Sequence, residues 1–142
     1  DPYARGAVLG ITRGTTRAHL ARAVVESIAW QVRDVVEAMR AATGSDLPGL
    51  RVDGGASVMD LLCQLQADLL GVPVQRAAVQ ETTALGAAFF AGLGVDVWDT
   101  PAAVAATWRP EAEFEPSASA EEVEAGASRW RRGVERARGW AR

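Results

Sequence analysis

The chain has 142 residues, 49% of them hydrophobic and 23% charged, and a formal net charge of -3. That length and balance suit one globular domain and exclude a disordered chain, and the slight acidity gives no overall pull toward nucleic acid or an anionic membrane. All fifteen basic residues are arginine, which excludes a phosphate-loop, Schiff-base or general-base lysine from this chain, and a single histidine (His19) with a single cysteine (Cys63) cannot build a zinc site, a disulfide or a histidine-based triad.

Asp1-Pro2 opens as a turn. No apolar run of the secretory kind follows it, and no apolar stretch approaches the roughly 20 residues that cross a bilayer. A cytoplasmic compartment is expected. Residues 7–11 read as a short buried strand. Thr15 or Thr16 then caps a long helix that stops at Gly44. Val24, Val25, Ile28, Val32, Val35, Val36 and Met39 recur in it at helical spacing. The valines lower its intrinsic helicity, so burial against a sheet is expected to compensate.

Pro48-Gly49 marks a turn, residues 50–53 a short strand, and Gly54-Gly55-Ala56 follow at once. Ser57 and Asp60 are expected to cap the next helix, which carries Leu61, Leu62, Leu65, Leu69 and Leu70 and ends at Gly71. Residues 72–75 read as a second strand, placed near a sheet edge by Pro73. Thr82 or Thr83 is expected to cap a helix over 84–93, whose Gly86-Ala87-Ala88 face permits close packing. Residues 95–119 read as an irregular surface segment, anchored by Trp98, Trp108 and Phe114 and interrupted by Pro101, Pro110 and Pro116, with helical turns over 102–106. Ser119 with Glu122 forms a capping box for a terminal helix over 120–140. Glutamates at its start and arginines in its second half suit the helix dipole. It reads as a solvated structural helix rather than a nucleic-acid ridge.

Strand, helix, strand, helix, strand, helix is an α/β order with crossover helices on a short sheet. Three short strands are thin support for helices of this length. With no methionine before Asp1, the expectation is that the chain is the back part of a larger protein.

The strongest chemical signal is Val52-Asp53-Gly54-Gly55-Ala56-Ser57. Glycines let a backbone approach a ligand closely, and the free amides of a following helix favour a phosphate oxygen. The same residues also read as a tight connection that needs glycine for steric reasons alone. Neither the dinucleotide fingerprint nor a Walker loop is present. Asp53, at a strand end, reads either as the holder of a magnesium-bound water or, in preference, as a brace for the turn that accepts backbone amides. Thr82 and Thr83 read as caps or ligand contacts, His19 as a capping or surface residue, Cys63 as buried and inert, Trp30 as core or interface, and Asp68 as the solvated face of its helix.

Several motifs at fixed mutual spacing identify a family. They are residues 1–7 and 10–14, His19-Leu20-Ala21-Arg22-Ala23, residues 26–35, Leu50 through Ala56, Gln64 through Val74 and Glu81 through Leu93. Nearly the whole chain resembles the glycerol kinases of the sugar and polyol kinase family, in the actin, hexokinase and Hsp70 superfamily. The resemblance implies a two-domain enzyme that moves the γ-phosphoryl group of ATP to a terminal hydroxyl of glycerol with Mg²⁺. It implies a ribonuclease H-like, actin-like ATPase fold, of which residues 1–142 are the later part of the C-terminal nucleotide-binding domain. The catalytic aspartate and the glycerol-gripping residues would then lie in a part preceding Asp1, so no catalytic or metal-binding residue is assigned in this chain, and the chain alone is expected to be inactive. Gly54, Gly55 and Ala56 match the family's nucleotide loop. Met59 stands where the family usually has an adenine-side asparagine. Arg13, Gly14, Thr82 and Thr83 match motifs of structural character. A homo-oligomer is expected, and no nucleic-acid or membrane partner. The alternatives are a kinase of another polyol or sugar, and a non-catalytic actin-like binding or assembly module.

Overall fold

The computed structural model describes residues 1–141. Its elements in chain order are α1 (Arg17–Thr43), β1 (Leu50–Val52), a 3-10 turn (Gly55–Val58), α2 (Asp60–Leu70), β2 (Val74–Ala77), α3 (Thr82–Gly94), α4 (Pro101–Ala105), β3 (Pro110–Phe114) and α5 (Ala120–Ala137). The sheet order is β1-β2-β3. β1 and β2 are parallel, with Leu50 opposite Val74 and Val52 opposite Arg76, and α2 is their crossover. β2 and β3 are antiparallel, with Val74 opposite Phe114, and an irregularity falls between Arg76 and Ala77.

Two of these strands depart from the sequence reading. β2 is the central strand, not an edge. Pro73 lies just before it and removes no donor from the ladder; its carbonyl accepts the Leu50 N–H at 2.9 Å. β3 lies inside the segment read as irregular. Its signal is a short alternation in which Ala112 and Phe114 are half-buried while Glu111 and Glu113 are exposed. The expected strand over 7–11 does not form. Val8, Leu9 and Ile11 are exposed, because no strand among the described residues offers that stretch a hydrogen-bonding neighbour.

The core lies between α2 and the sheet. Cys63, Ala67 and Val74 are fully enclosed, with Leu50, Val52 and Phe114 packed against them. α1 packs on the other side of α2. Thr16 and His19 cap α1 reciprocally: the Thr16 hydroxyl accepts from the His19 N–H, and His19 Nδ1 accepts the Thr16 N–H at 3.1 Å. Gly44, at φ 66°, ends it and donates to the Arg40 carbonyl at 2.9 Å. Only part of the apolar stripe is covered. Ala29 and Val36 are buried and Val25 and Val32 half-buried, whereas Val24, Val35 and Met39 are exposed. A helix of about 40 Å overhangs a partner of about 16 Å at 1.5 Å per residue, so the expected burial against a sheet is replaced by partial burial against shorter helices.

α5 returns to α1 through an aromatic contact. Trp30 and Trp130 stack with ring centroids 6.4 Å apart, and Trp130 Nε1 donates to Asp34 Oδ2 at 2.7 Å. The Ser119–Glu122 capping box is present at its start. Residues 1–5 run beside its far end: the Arg5 N–H donates to the Ala137 carbonyl, the Ala141 N–H to the Tyr3 carbonyl, and the Gly139 N–H to Asp1 Oδ2. Trp98 and Trp108 anchor the segment between α3 and β3. Trp98 meets Phe89 edge-on, and the Arg51 guanidinium sits 4.0 Å from the Trp108 ring centroid. Ala87 and Ala88 are exposed and a Cβ on Gly86 would meet nothing within 4 Å; the tightly packed glycine of α3 is Gly92, beneath the Trp98 ring. Phe90 on the same helix is 79% exposed.

Candidate functional site

The parallel strands β1 and β2 leave the sheet side by side. In open α/β sheets the space beyond the carboxyl ends of such strands is where ligands are received. The chain after β1 turns at Gly54 and Gly55; the chain after β2 passes residues 78–81 into α3. The two exits are tied together. The Gly54 N–H donates to the Gln80 carbonyl at 3.1 Å, and the Thr82 hydroxyl donates to the Asp53 carboxylate. Asp53 thus serves as a tether to α3 rather than as an acceptor for the amides of its own turn. Thr82 is the first residue of α3, and neither it nor Thr83 is the cap; Glu81 holds that position without a side-chain bond.

Gly54 sits at φ 80°, ψ 174°, a conformation open essentially to glycine alone. Gly55 begins the 3-10 turn and has no positive φ. A Cβ on either glycine would meet nothing within 4 Å. The two glycines therefore differ: Gly54 is required by the backbone, while Gly55 leaves space above the turn that the fold itself does not use. Ala56 is exposed, and Met59 is half-buried in an extended conformation as the N-terminal flank of α2. Gly54, Gly55, Ala56 and Met59 thus belong to one continuous turn. The first amides of a helical turn lack intrahelical acceptors and point outward along its axis, so the turn offers donors to an anion.

Ser57 and Asp60 do not cap α2 as expected, because the 3-10 turn delays the helix to Asp60. Ser57 is buried, and its Oγ donates to the Gly54 carbonyl at 2.7 Å. Its own carbonyl accepts from Cys63 Sγ and from Arg76 Nη1, both at 3.2 Å. Asp60 instead pairs with Arg76 at 2.7 Å. The Asp60 hydrogen bond raises the Arg76 pKa still further above its ordinary value. Burial pushes the Cys63 thiol up, which suits an inert core residue. Arg76, Gln80 and the Asp53–Thr82 bond were not visible to sequence reasoning. The one available hint was an arginine inside a strand otherwise made for burial.

Asp68 also differs from its expected solvated role. Its Oδ1 accepts from the Ser117 N–H at 2.8 Å, Ser117 Oγ at 3.1 Å, the Ala118 N–H at 3.3 Å and Gln64 Nε2 at 3.0 Å. Burial alone would raise its pKa, but these donors more than offset that and hold the carboxyl below its usual range. Asp68 fastens the connection from β3 to α5 onto α2.

Residues 1–95 match the model of the FGGY family of carbohydrate kinases, C-terminal domain. The chain belongs to that family. It is 56% identical over 141 residues to a glycerol kinase of Dechloromonas aromatica, covering 99% of this chain and 28% of the relative. It is 54% identical over 140 residues to glycerol kinase 2 of Thermotoga maritima, again 28% of that protein. The chain therefore spans little more than a quarter of the length of these relatives. Among solved structures, glycerol kinase of Plasmodium falciparum with ADP superposes at a TM-score of 0.82 with 32% identity, over 95% of this chain and 27% of that one. Xylulose kinase of Lactobacillus acidophilus superposes at 0.76 with 22% identity, over 95% of this chain and 28% of that one, which speaks to fold. The α/β architecture is thus part of the actin-like ATPase fold of FGGY kinases.

Proposed function

We propose that this chain forms the adenine-nucleotide side of the cleft in an ATP-dependent glycerol kinase, as the later part of its C-terminal domain. The observation that carries the reading is the open space above Gly54 and Gly55 at the joined exits of two parallel strands. The likeness to proteins named glycerol kinase, one of them solved with ADP, supports glycerol as acceptor and ATP as donor. In this reading Gly54 and Gly55 let the backbone meet the nucleotide near its α-phosphate and ribose, Ala56 keeps that surface low, and Met59 lies beside the adenine. A thioether packs on a purine face but offers no amide pair to read its edge.

Nucleotide binding here would be positional and electrostatic, as in phosphoryl transfer generally. Mg²⁺ supplies charge neutralisation of the phosphates when bound. The described residues do not fit a site for it: no three His, Cys, Asp or Glu side chains converge among them, and the Asp53 carboxylate is engaged by Thr82. The metal is therefore assigned to the nucleotide and to other parts of a whole kinase. Among the described residues no helix is long and apolar enough to cross a membrane, and the reading places the enzyme in the cytoplasm. In this reading apolar side chains such as Val35 and Phe90, exposed in this chain, are faces that the rest of the kinase would cover, and self-association of the whole enzyme belongs to the proposal without resting on them.

Calorimetric titration of ADP and ATP against the intact kinase carrying this chain tests the reading, together with a coupled assay for glycerol 3-phosphate. Saturable nucleotide binding and glycerol-dependent ADP release are expected from the whole enzyme. The purified 142-residue chain, little more than a quarter of the length of the glycerol kinases it resembles, is expected to release no glycerol 3-phosphate. A whole protein that is folded yet binds neither nucleotide would overturn the proposal.

A further inference from the structure

Arg76 lies on the central strand with a side chain only 12% exposed. Three of its N–H bonds leave in three directions. Nη1 donates to the Ser57 carbonyl at 3.2 Å and to Asp60 Oδ1 at 2.7 Å, and Nε donates to Glu111 Oε2 at 3.1 Å. The guanidinium also lies 5.5 Å from the Phe114 ring centroid. One side chain thus connects the glycine turn, the first residue of α2 and strand β3. From Ser57 the connection continues upward, because both the N–H and the Oγ of Ser57 donate to the Gly54 carbonyl at 3.0 and 2.7 Å.

We infer that Arg76 is a positioning residue for the nucleotide turn: it fixes the backbone of Ser57, and through it Gly54, to the sheet, and so sets the affinity for the adenine nucleotide. The inference rests on the nucleotide reading of that turn. Without Arg76 the Ser57 carbonyl keeps only the Cys63 thiol at 3.2 Å, a weak donor. A charged donor is stronger than a neutral one, and the planar guanidinium serves all three acceptors at once. A lysine ammonium is a point charge that cannot reproduce this fork.

The side chain is enclosed by its acceptors and does not face the space above the glycines. Its loss should therefore weaken nucleotide binding in the ground and transition states alike, which raises KM and leaves kcat in place. The variants are Arg76→Gln and Arg76→Lys in the intact kinase carrying this chain, with Glu111→Gln as control for the sheet side of the same network. For Arg76→Gln, the calorimetric Kd and the KM for ATP are expected to rise about tenfold or more, the equivalent of one net bond to a charged group. The kcat and the KM for glycerol should stay within about twofold, as expected when only uniform binding of the other substrate is lost. Arg76→Lys should recover part of the loss. Glu111→Gln should change the KM for ATP by less than about threefold, since a half-exposed ion pair contributes little.

Two results overturn the inference. One is an Arg76 variant, folded by circular dichroism, with the wild-type KM for ATP. The other is a set of variants in which every kinetic constant falls in step with melting temperature, Glu111→Gln included, which is the behaviour of a merely structural residue. If Arg76→Gln does not fold, Arg76→Lys decides the matter on the same constants. Failure of the wild-type protein to bind ATP or ADP is a separate outcome that removes the nucleotide reading and this inference with it.

Discussion

A Cβ added to Gly126 would lie 2.6 Å from Cζ2 of Trp30, so the closest approach of α5 to α1 exists only because position 126 has no side chain. Gly133 lies in the same helix, and a Cβ there would meet nothing within 4 Å. Helix propensity favours alanine over glycine by about 1 kcal/mol at both positions. At Gly126 that gain is outweighed, because overpacking a fitted contact costs about 1–3 kcal/mol. Gly126→Ala is therefore expected to lower stability by about 1 kcal/mol net, and Gly133→Ala to raise it by about 0.5–1 kcal/mol. Urea unfolding of the two variants checks this, and equal shifts would contradict the packing of Trp30 on Gly126.

The difference between those glycines was invisible in the sequence, where both stand in an amphipathic pattern. What could be read was local. Thr15 or Thr16, and Ser119 with Glu122, announced helix starts, of which the structure uses Thr16 and Ser119, and Gly44 and Gly71 announced helix ends, both in left-handed conformation. Motifs whose partners are distant in sequence were misread. Asp60 has capping chemistry, but Arg76, sixteen residues on, takes it. Asp68 looked solvated because its donors, Ser117 and Ala118, lie about fifty residues away. Residues 7–11 have strand composition, yet composition cannot supply a neighbouring strand. Of the candidate site, Gly54 and Gly55 were legible as a turn after a strand, while the partners of Asp53 and Ser57 and the arginine beneath them were not.

Gly54 and Gly55 should respond to substitution in different ways. Gly54→Ala forces a side chain into a glycine-only region, a strain of about 1–3 kcal/mol, and should lower stability by that order. Gly55→Val adds its methyl groups to open space at ordinary φ, so the fold should hold while the nucleotide loses its approach to the backbone. Thermal melts and ATP titration separate the two. A Gly55→Val protein with wild-type ATP affinity and an intact fold would remove this turn from the nucleotide site.

Met59 is the N-terminal flanking residue of α2 and makes no side-chain cap. Asparagine is among the preferred residues at that position, and a gain of about 1 kcal/mol accompanies a new cap. Met59→Asn is thus expected to raise the melting temperature without ligand. In the proposed site the same amide adds a donor and an acceptor beside the adenine, worth about 1 kcal/mol, or roughly fivefold in affinity for ATP relative to GTP. Melts without nucleotide read the cap, and paired ATP and GTP titrations read the base contact. A stability gain with an unchanged ATP to GTP ratio would place the amide on the helix and away from the adenine.

Asp68 gives the chain an acid-sensitive fastening. Its folded pKa is depressed below the usual 3.8 by the donors from Ser117, Gln64 and Ala118, which outweigh the opposing effect of burial. A depressed carboxyl contributes stability that is fully present above its unfolded value and is lost as pH falls through the folded one. The contribution is therefore complete at pH 7 and starts to be lost below about pH 4, where the unfolded carboxyl binds the proton first. Asp68→Asn keeps the shape and removes the charge that strengthens these bonds, and should cost about 1–2 kcal/mol at pH 7. The loss should appear first where residues 117 and 118 lead into α5, seen as faster amide exchange at the start of that helix. The difference in unfolding free energy between wild type and Asp68→Asn, measured from pH 7 down to pH 3, should narrow as the pH falls below about 4. A constant difference across that range would mean that Asp68 acts through shape alone, and that its charge does not hold the β3 to α5 connection on α2.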